Sequence, residues 1–197
     1  MSNEKIQSIE TADAAIIRGA KEVESVNVTG KYVAQCFDVH GNLKWEEKYD
    51  NLVTTQGKNH LLNTYLASNT FSAVAGGKVF LGIISATGYT AVAAGDTANS
   101  HTGWTEFTGY SQTDRVKPSF SAASSGSKST SSAAVFSISS ANTIKGTFLM
   151  ANNNTGSAGA AKKGGYSGIL YSAGLFTGGD KIIASGDVVN ITYTASA

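Results

Sequence analysis

The stretch from Gly95 to Arg115, GDTANSHTGWTEFTGYSQTDR, gathers side chains that do chemistry in many proteins. His101 is a candidate base or metal ligand, and Asp96, Glu106 and Asp114 are candidate acids or ligands. Arg115 could clamp an anion. Trp104 and Tyr110 beside Asp96 and Glu106 also have the makings of a sugar site, with aromatic faces to stack on a ring and carboxylates to bind or cleave a glycosidic linkage. The competing reading is structural. A long crossover makes few regular backbone hydrogen bonds, so it needs polar side chains to satisfy its N–H and C=O groups.

The rest of the chain supplies little to complete a reactive set. His40, His60 and His101 are far apart, and none stands at metal-ligand spacing from another or from Cys36. No GxSxG elbow, phosphate-cradling loop or dinucleotide fingerprint occurs. The expectation is therefore no catalytic residue, no cofactor and no metal. Net charge is +1 with only 15% charged residues, which lacks the basic footprint of a nucleic-acid binder. Lys117, Lys128, Lys162 and Lys163 lie in small-residue segments without interleaved aromatics and read as solubilising charges. No segment has the roughly 18 apolar residues in a row that span a bilayer, and the first residues lack a basic then apolar leader pattern. Cys36, the only cysteine, reads as a small buried residue in a strand. Low charge with 22 glycines and many small hydroxyl residues suits a surface covered by other subunits.

The elements that must position these residues are mostly strands. Val26 to Val53 reads as two strands joined by a turn at Asp38–Asn42, with Gly41 and Asn42 supplying positive φ. Leu43, Trp45 and Tyr49 fall on one face of the second strand, and Lys44, Glu46 and Lys48 on the other, solvated face. A helix over about 55–68 follows, capped by Thr54 or Thr55, with Leu61, Leu62, Tyr65 and Leu66 on one stripe. The run KVFLGIIS predicts a strand covered on both faces. Phe136 and Ile138, then Val189, Ile191 and Tyr193, alternate with hydroxyl and amide residues, as in half-buried antiparallel strands. The segments 121–132 and 151–168 have little to bury and read as loop tips. The fold class is mainly β: an antiparallel β-sandwich or jelly-roll-like domain over 26–197 with one short helix, preceded by a charged N-terminal arm, 1–25.

Within that order a resemblance emerges. The pattern DxxGNLKWxxxxxNLVTTxGKNxLLxTYLA, then FLGxIS, AAGDT, SHxGWTE, a Ser-Ala-x-Val-Phe strand, GILYSAG and SGDxVNxTY resembles a group of tailed-bacteriophage virion proteins. The matching residues run from Asp38 to Tyr193 and leave out the arm. The resemblance implies a non-enzymatic structural protein, made in the host cytoplasm and incorporated in the virion, with no catalytic residues to carry over. A capsid decoration or cement protein is the role expected first, with the major capsid protein or other virion proteins as partners and a homo-oligomer, a trimer by preference, as the assembly. A tail, collar or fibre-associated role is the alternative, and a carbohydrate-binding or glycan-hydrolysing module is the alternative of another class. In the structural reading, Trp45 and Trp104 anchor the hairpin and the crossover. His101 and Glu106 brace the crossover by hydrogen bonds, Tyr110 continues its strand, and Arg115 pairs with Asp114 or with an acid across an interface.

Overall fold

The computed structural model describes residues 27–65, 79–152 and 158–197. The expected arm lies outside the described residues, as do the last turn of the expected helix and part of the segment 151–168. The strands are β1 (Thr29–Phe37), β2 (Leu43–Val53), β3 (Val79–Ser85), β4 (Glu106–Phe107), β5 (Ser127–Ser129), β6 (Ala134–Ser137), β7 (Asn142–Ala151), β8 (Ile169–Leu175), β9 (Lys181–Ile183) and β10 (Val188–Ser196), with the helix α1 (Thr55–Tyr65) between β2 and β3.

All pairings are antiparallel, in the order β4-β3-β7-β8-β2-β1-β10-β5, with β6 also on β10 and β9 also on β7. The long β2 joins two halves: Leu43–Asp50 pairs with β1, and Asn51–Val53 pairs with β8. The halves face each other as a sandwich-like fold. Tyr32, Phe136, Ile191 and Tyr193 from the first half pack with Leu81, Ile83, Ile144 and Leu149 from the second. Two hydroxyl bonds cross this core, Tyr32 to Ser172 at 2.9 Å and Tyr49 to Thr147 at 2.8 Å. They give buried polar groups the partners that burial demands.

The second half is buried on both faces, which accounts for the unbroken apolar run of β3. Ile83 and Leu149 point into the sandwich, while their neighbours Ile84, Phe148 and Met150 point outward into a second cluster with Trp104, Ala98, Ala160 and Leu170. The crossover 86–105 and the turn beginning with the short 3-10 helix Ala158–Ala160 cover that outer face. Gly82 makes room there, since a Cβ would meet the Phe148 ring at 2.2 Å.

The mainly β, antiparallel class and the single helix agree with the sequence pattern. So does the cap, Thr54, its Oγ1 accepting from Gly57 N at 3.0 Å. Several other details differ. The helix approaches β8 through Gln56 and Gly57, where a Cβ would lie 2.3 Å from the Tyr171 carbonyl. Leu61 and Leu62 consequently stay outside the core, at 37% and 56% exposure. In β2 the inward row is Trp45, Glu47 and Tyr49, and a bulge at Phe37 leaves Leu43 exposed. Glu47 is thus buried among apolar neighbours, held by Lys181 Nζ at 2.6 Å, Thr177 Oγ1 at 3.2 Å and Gly178 N at 3.1 Å. The segment 121–132, expected to be a loop tip, folds as a small hairpin. Ser125 (φ 48°) and Gly126 (φ 71°) make its two-residue turn, and β5 adds to the β10 edge with Ser129 and Thr194 hydroxyls 2.9 Å apart. Side chains with nothing to bury can still pair when a strand edge is offered to them.

Candidate functional site

The residues singled out in Gly95–Arg115 come together, but they serve one another. A turn closes over Ala93–Asp96: Asp96 N donates to the Ala93 carbonyl at 3.0 Å, and Ala93 N donates back to Asp96 Oδ2 at 2.9 Å. The same oxygen accepts from Trp104 Nε1, also at 2.9 Å. Trp104 is 2% exposed and rests on Phe148, with centroids 5.1 Å apart. It pins the crossover onto the outer face of β7. His101 stacks on the other side of the indole at 4.0 Å and 23°. Its Nδ1 lies 3.1 Å from the Trp104 carbonyl, which can only accept, so Nδ1 carries the proton and Nε2 is directed away from this contact.

Trp104 and Phe107 lie three residues apart and so point to opposite faces, one into the outer cluster and one into the sandwich core. Between them Glu106 meets Arg115 in a two-pronged ion pair, Nε to Oε1 at 3.0 Å and Nη2 to Oε2 at 2.8 Å. The side chains are 5% and 3% exposed. Arg115 also donates to the carbonyls of Ala160 and Gly165, both at 2.9 Å. Glu106 further accepts from Gly164 N and, at 3.4 Å, from the Tyr110 hydroxyl. The partner of Arg115 is therefore Glu106 of the same chain, neither Asp114 nor an acid across an interface. Asp114 pairs instead with Lys162 at 3.2 Å. Nothing in the nine-residue spacing marked this pair: the strand β4 and the return at 115 become neighbours because both run beside β3.

Tyr110 is 1% exposed, edge-on to Phe136 at 5.1 Å, with its hydroxyl pushed well above the usual tyrosine range by burial and then by the Glu106 charge. Lys163 sits over its ring at 4.6 Å and donates to its carbonyl at 2.8 Å. That lysine braces the crossover, where its sequence context suggested only solvation. Trp45 stands apart from this group. It is half-buried against Phe176 at 5.5 Å, and its indole N–H has no hydrogen-bond partner among the described residues.

The sugar site expected from Trp104, Tyr110, Asp96 and Glu106 is not assembled in that form. Both rings are buried, Tyr110 edge-on to Phe136 and Trp104 between tilted Phe148 and stacked His101 contacts, and both carboxylates are engaged by donors. Glu106 has donors on each oxygen and faces the Arg115 guanidinium. Among the described residues no three of His, Cys, Asp and Glu gather as metal ligands.

A cleft of about 370 Å³ does open beside the crossover. Its floor holds Phe148, Met150 and the Glu106–Arg115 pair. Its walls are the 99–102 loop and the 164–166 turn, with Tyr166 at 66% exposure on the rim. Sequence reasoning missed Gly164, Gly165 and Tyr166. Their one signal was an aromatic residue in an otherwise small-residue segment. Compared with family models, with curated proteins and with solved structures, the chain finds no match in any of the three.

Proposed function

We propose that the chain is a non-enzymatic structural protein of a tailed-phage virion, most simply a capsid decoration or cement protein that binds the major capsid protein. The observation that carries this reading is the asymmetry of the two sheet halves. In the second half the strands β3 and β7 are covered on both faces over most of their length, with Ile182 of the short β9 left exposed, whereas the outer face of the first carries side chains that nothing among the described residues buries fully. On that face Phe37 pairs with Val188, and Asn190 lies between Gln35 and Val135. Val135 is 45% exposed, and Val39 at the adjoining turn is 63% exposed. A mixed apolar and amide surface on a rigid sheet suits repeated, weak attachment to a lattice, where many contacts act together. The interior charges, being paired within the chain, add rigidity and leave no reactive group. The motif order from Asp38 to Tyr193 supports the virion assignment. A homotrimer at a threefold position is the assembly proposed, since cyclic closure satisfies one patch per subunit.

The test is the copy number in purified particles together with binding to expanded capsids. Hundreds of copies per particle and saturable binding are expected. A handful of copies would instead favour the tail, collar or fibre role. Val135→Asp, on the exposed face, should weaken capsid binding without changing the melting temperature, and undiminished binding would remove this face from the interface.

A further inference from the structure

We propose that the cleft beside the crossover is a binding site for a neutral saccharide, with one pyranose ring of a glycan lying against Tyr166. The inference does not rest on the virion assignment. At about 370 Å³ the cleft falls at the small end of ligand pockets, which run roughly 300–1,000 Å³. Three features define its chemistry.

The first is a fixed aromatic wall. His101 is immobilised from behind by the Trp104 stack and by its own Nδ1 bond. Tyr166 stands beside it with centroids 6.1 Å apart at 31°. That spacing is ordinary ring contact and admits no further ring between the two. A ligand therefore lies against the exposed side of Tyr166, where the C–H face of a pyranose can stack. The second feature is a rim of neutral polar groups. Asn99, Ser100 and Thr102 are exposed around the mouth, beside the His101 ring. Amide and hydroxyl groups of this kind exchange hydrogen bonds with sugar hydroxyls in either direction. The third is charge balance. The two charged groups of the floor, Glu106 and Arg115, neutralise each other, with both Glu106 oxygens and all three Arg115 nitrogens hydrogen-bonded within the chain. A charged ligand would lose hydration there and find no counter-charge, whereas a neutral one loses little. With Glu106 held in this way, the site binds a glycan without cleaving it.

Saturation-transfer NMR on the full chain tests the inference, with methyl glycosides of glucose, galactose and mannose and with N-acetylglucosamine as neutral probes. Sialic acid and glucose 6-phosphate serve as charged comparisons. Transfer to at least one neutral sugar is expected. Tyr166→Ala should weaken that binding about tenfold, equivalent to ~1.4 kcal/mol, and His101→Ala should do likewise. Tyr166 is mostly exposed, so its variant keeps the fold even if His101→Ala does not, and an unchanged melting curve verifies this. Three results would overturn the proposal: no transfer to any neutral sugar, transfer confined to the charged sugars, or transfer that persists undiminished in the folded Tyr166→Ala protein.

Discussion

Replacing Arg115 by methionine tests most of the crossover at once. Methionine keeps the unbranched apolar stem but removes the guanidinium. Glu106, with its side chain 5% exposed, is then left without its counter-charge, with only the Gly164 N–H and the long Tyr110 contact. The carbonyls of Ala160 and Gly165 lose their donor as well. Breaking a buried pair by removing one partner costs about 3–5 kcal/mol. At roughly 2–4 °C per kcal/mol for a domain of this size, the melting temperature should fall by about 6–20 °C. The second arm of the experiment is Glu106→Gln/Arg115→Met. The amide removes the stranded charge and still accepts from Gly164 N, so the double variant should recover part of the loss. Urea denaturation of wild type, both single variants and the double variant gives the coupling energy, expected at about 2 kcal/mol or more in favour of the pair. Native hydrogen exchange should show the 158–168 segment opening first in Arg115→Met, because the guanidinium supplies two of the buried bonds that tie it to the crossover. A single-variant cost below about 1 kcal/mol, the range of exposed pairs, or strict additivity would refute the claim that this pair holds the two segments together.

Other consequences follow from the buried polar groups and one close backbone approach. Burial pushes the Asp187 and Glu47 carboxyls up, but the Lys44 and Lys181 ammonium groups with backbone donors outweigh it and hold both below the usual carboxylate range. A depressed folded-state value means the stabilisation is complete above the unfolded-state value and is lost as pH falls. The urea midpoint should therefore hold near neutrality and drop below about pH 4, and Asp187→Asn/Glu47→Gln should flatten that drop; an equally steep fall in the double variant would contradict the assignment. Burial, then the Asp187 charge, pushes the Cys36 thiol up to about 12. Ellman's reagent should leave the native protein untouched at neutral pH and react fully in urea, so rapid native labelling would disprove the buried placement. At Gly146 a Cβ would lie 2.1 Å from the Gly174 carbonyl of β8. Gly146→Ala should cost about 1–3 kcal/mol by overpacking, and an unchanged midpoint would challenge the β7–β8 register.

How far each feature was legible depends on the range of the interaction behind it. Alternation in Val189, Ile191 and Tyr193 encodes a half-buried strand directly, because the side-chain period of a strand is two. The apolar run of β3 likewise encoded two covered faces. Trp104 as an anchor, with His101 and Glu106 as braces, followed from the need of an irregular connection for side-chain bonds. The helix stripe misled, because Leu61 and Leu62 have the right spacing for a buried face while the approach is made by Gly57. Glu47 escaped notice for the opposite reason. A carboxylate inside a row of aromatics is disfavoured locally and is made tolerable by Lys181, Thr177 and Gly178, far along the chain.

The sequence by itself determined the antiparallel β class, the turn at Gly41, the inward rows of β6 and β10, and the burial of Cys36, since each depends on neighbours a few residues away. Tertiary structure alone decided which acid Arg115 meets, how β2 joins the two halves, and that the 164–166 turn closes a cleft against His101. Arg115 and Glu106 are nine residues apart and the other contacts span about 50 to 140 residues, and in neither case does a periodicity or spacing record which groups will face each other.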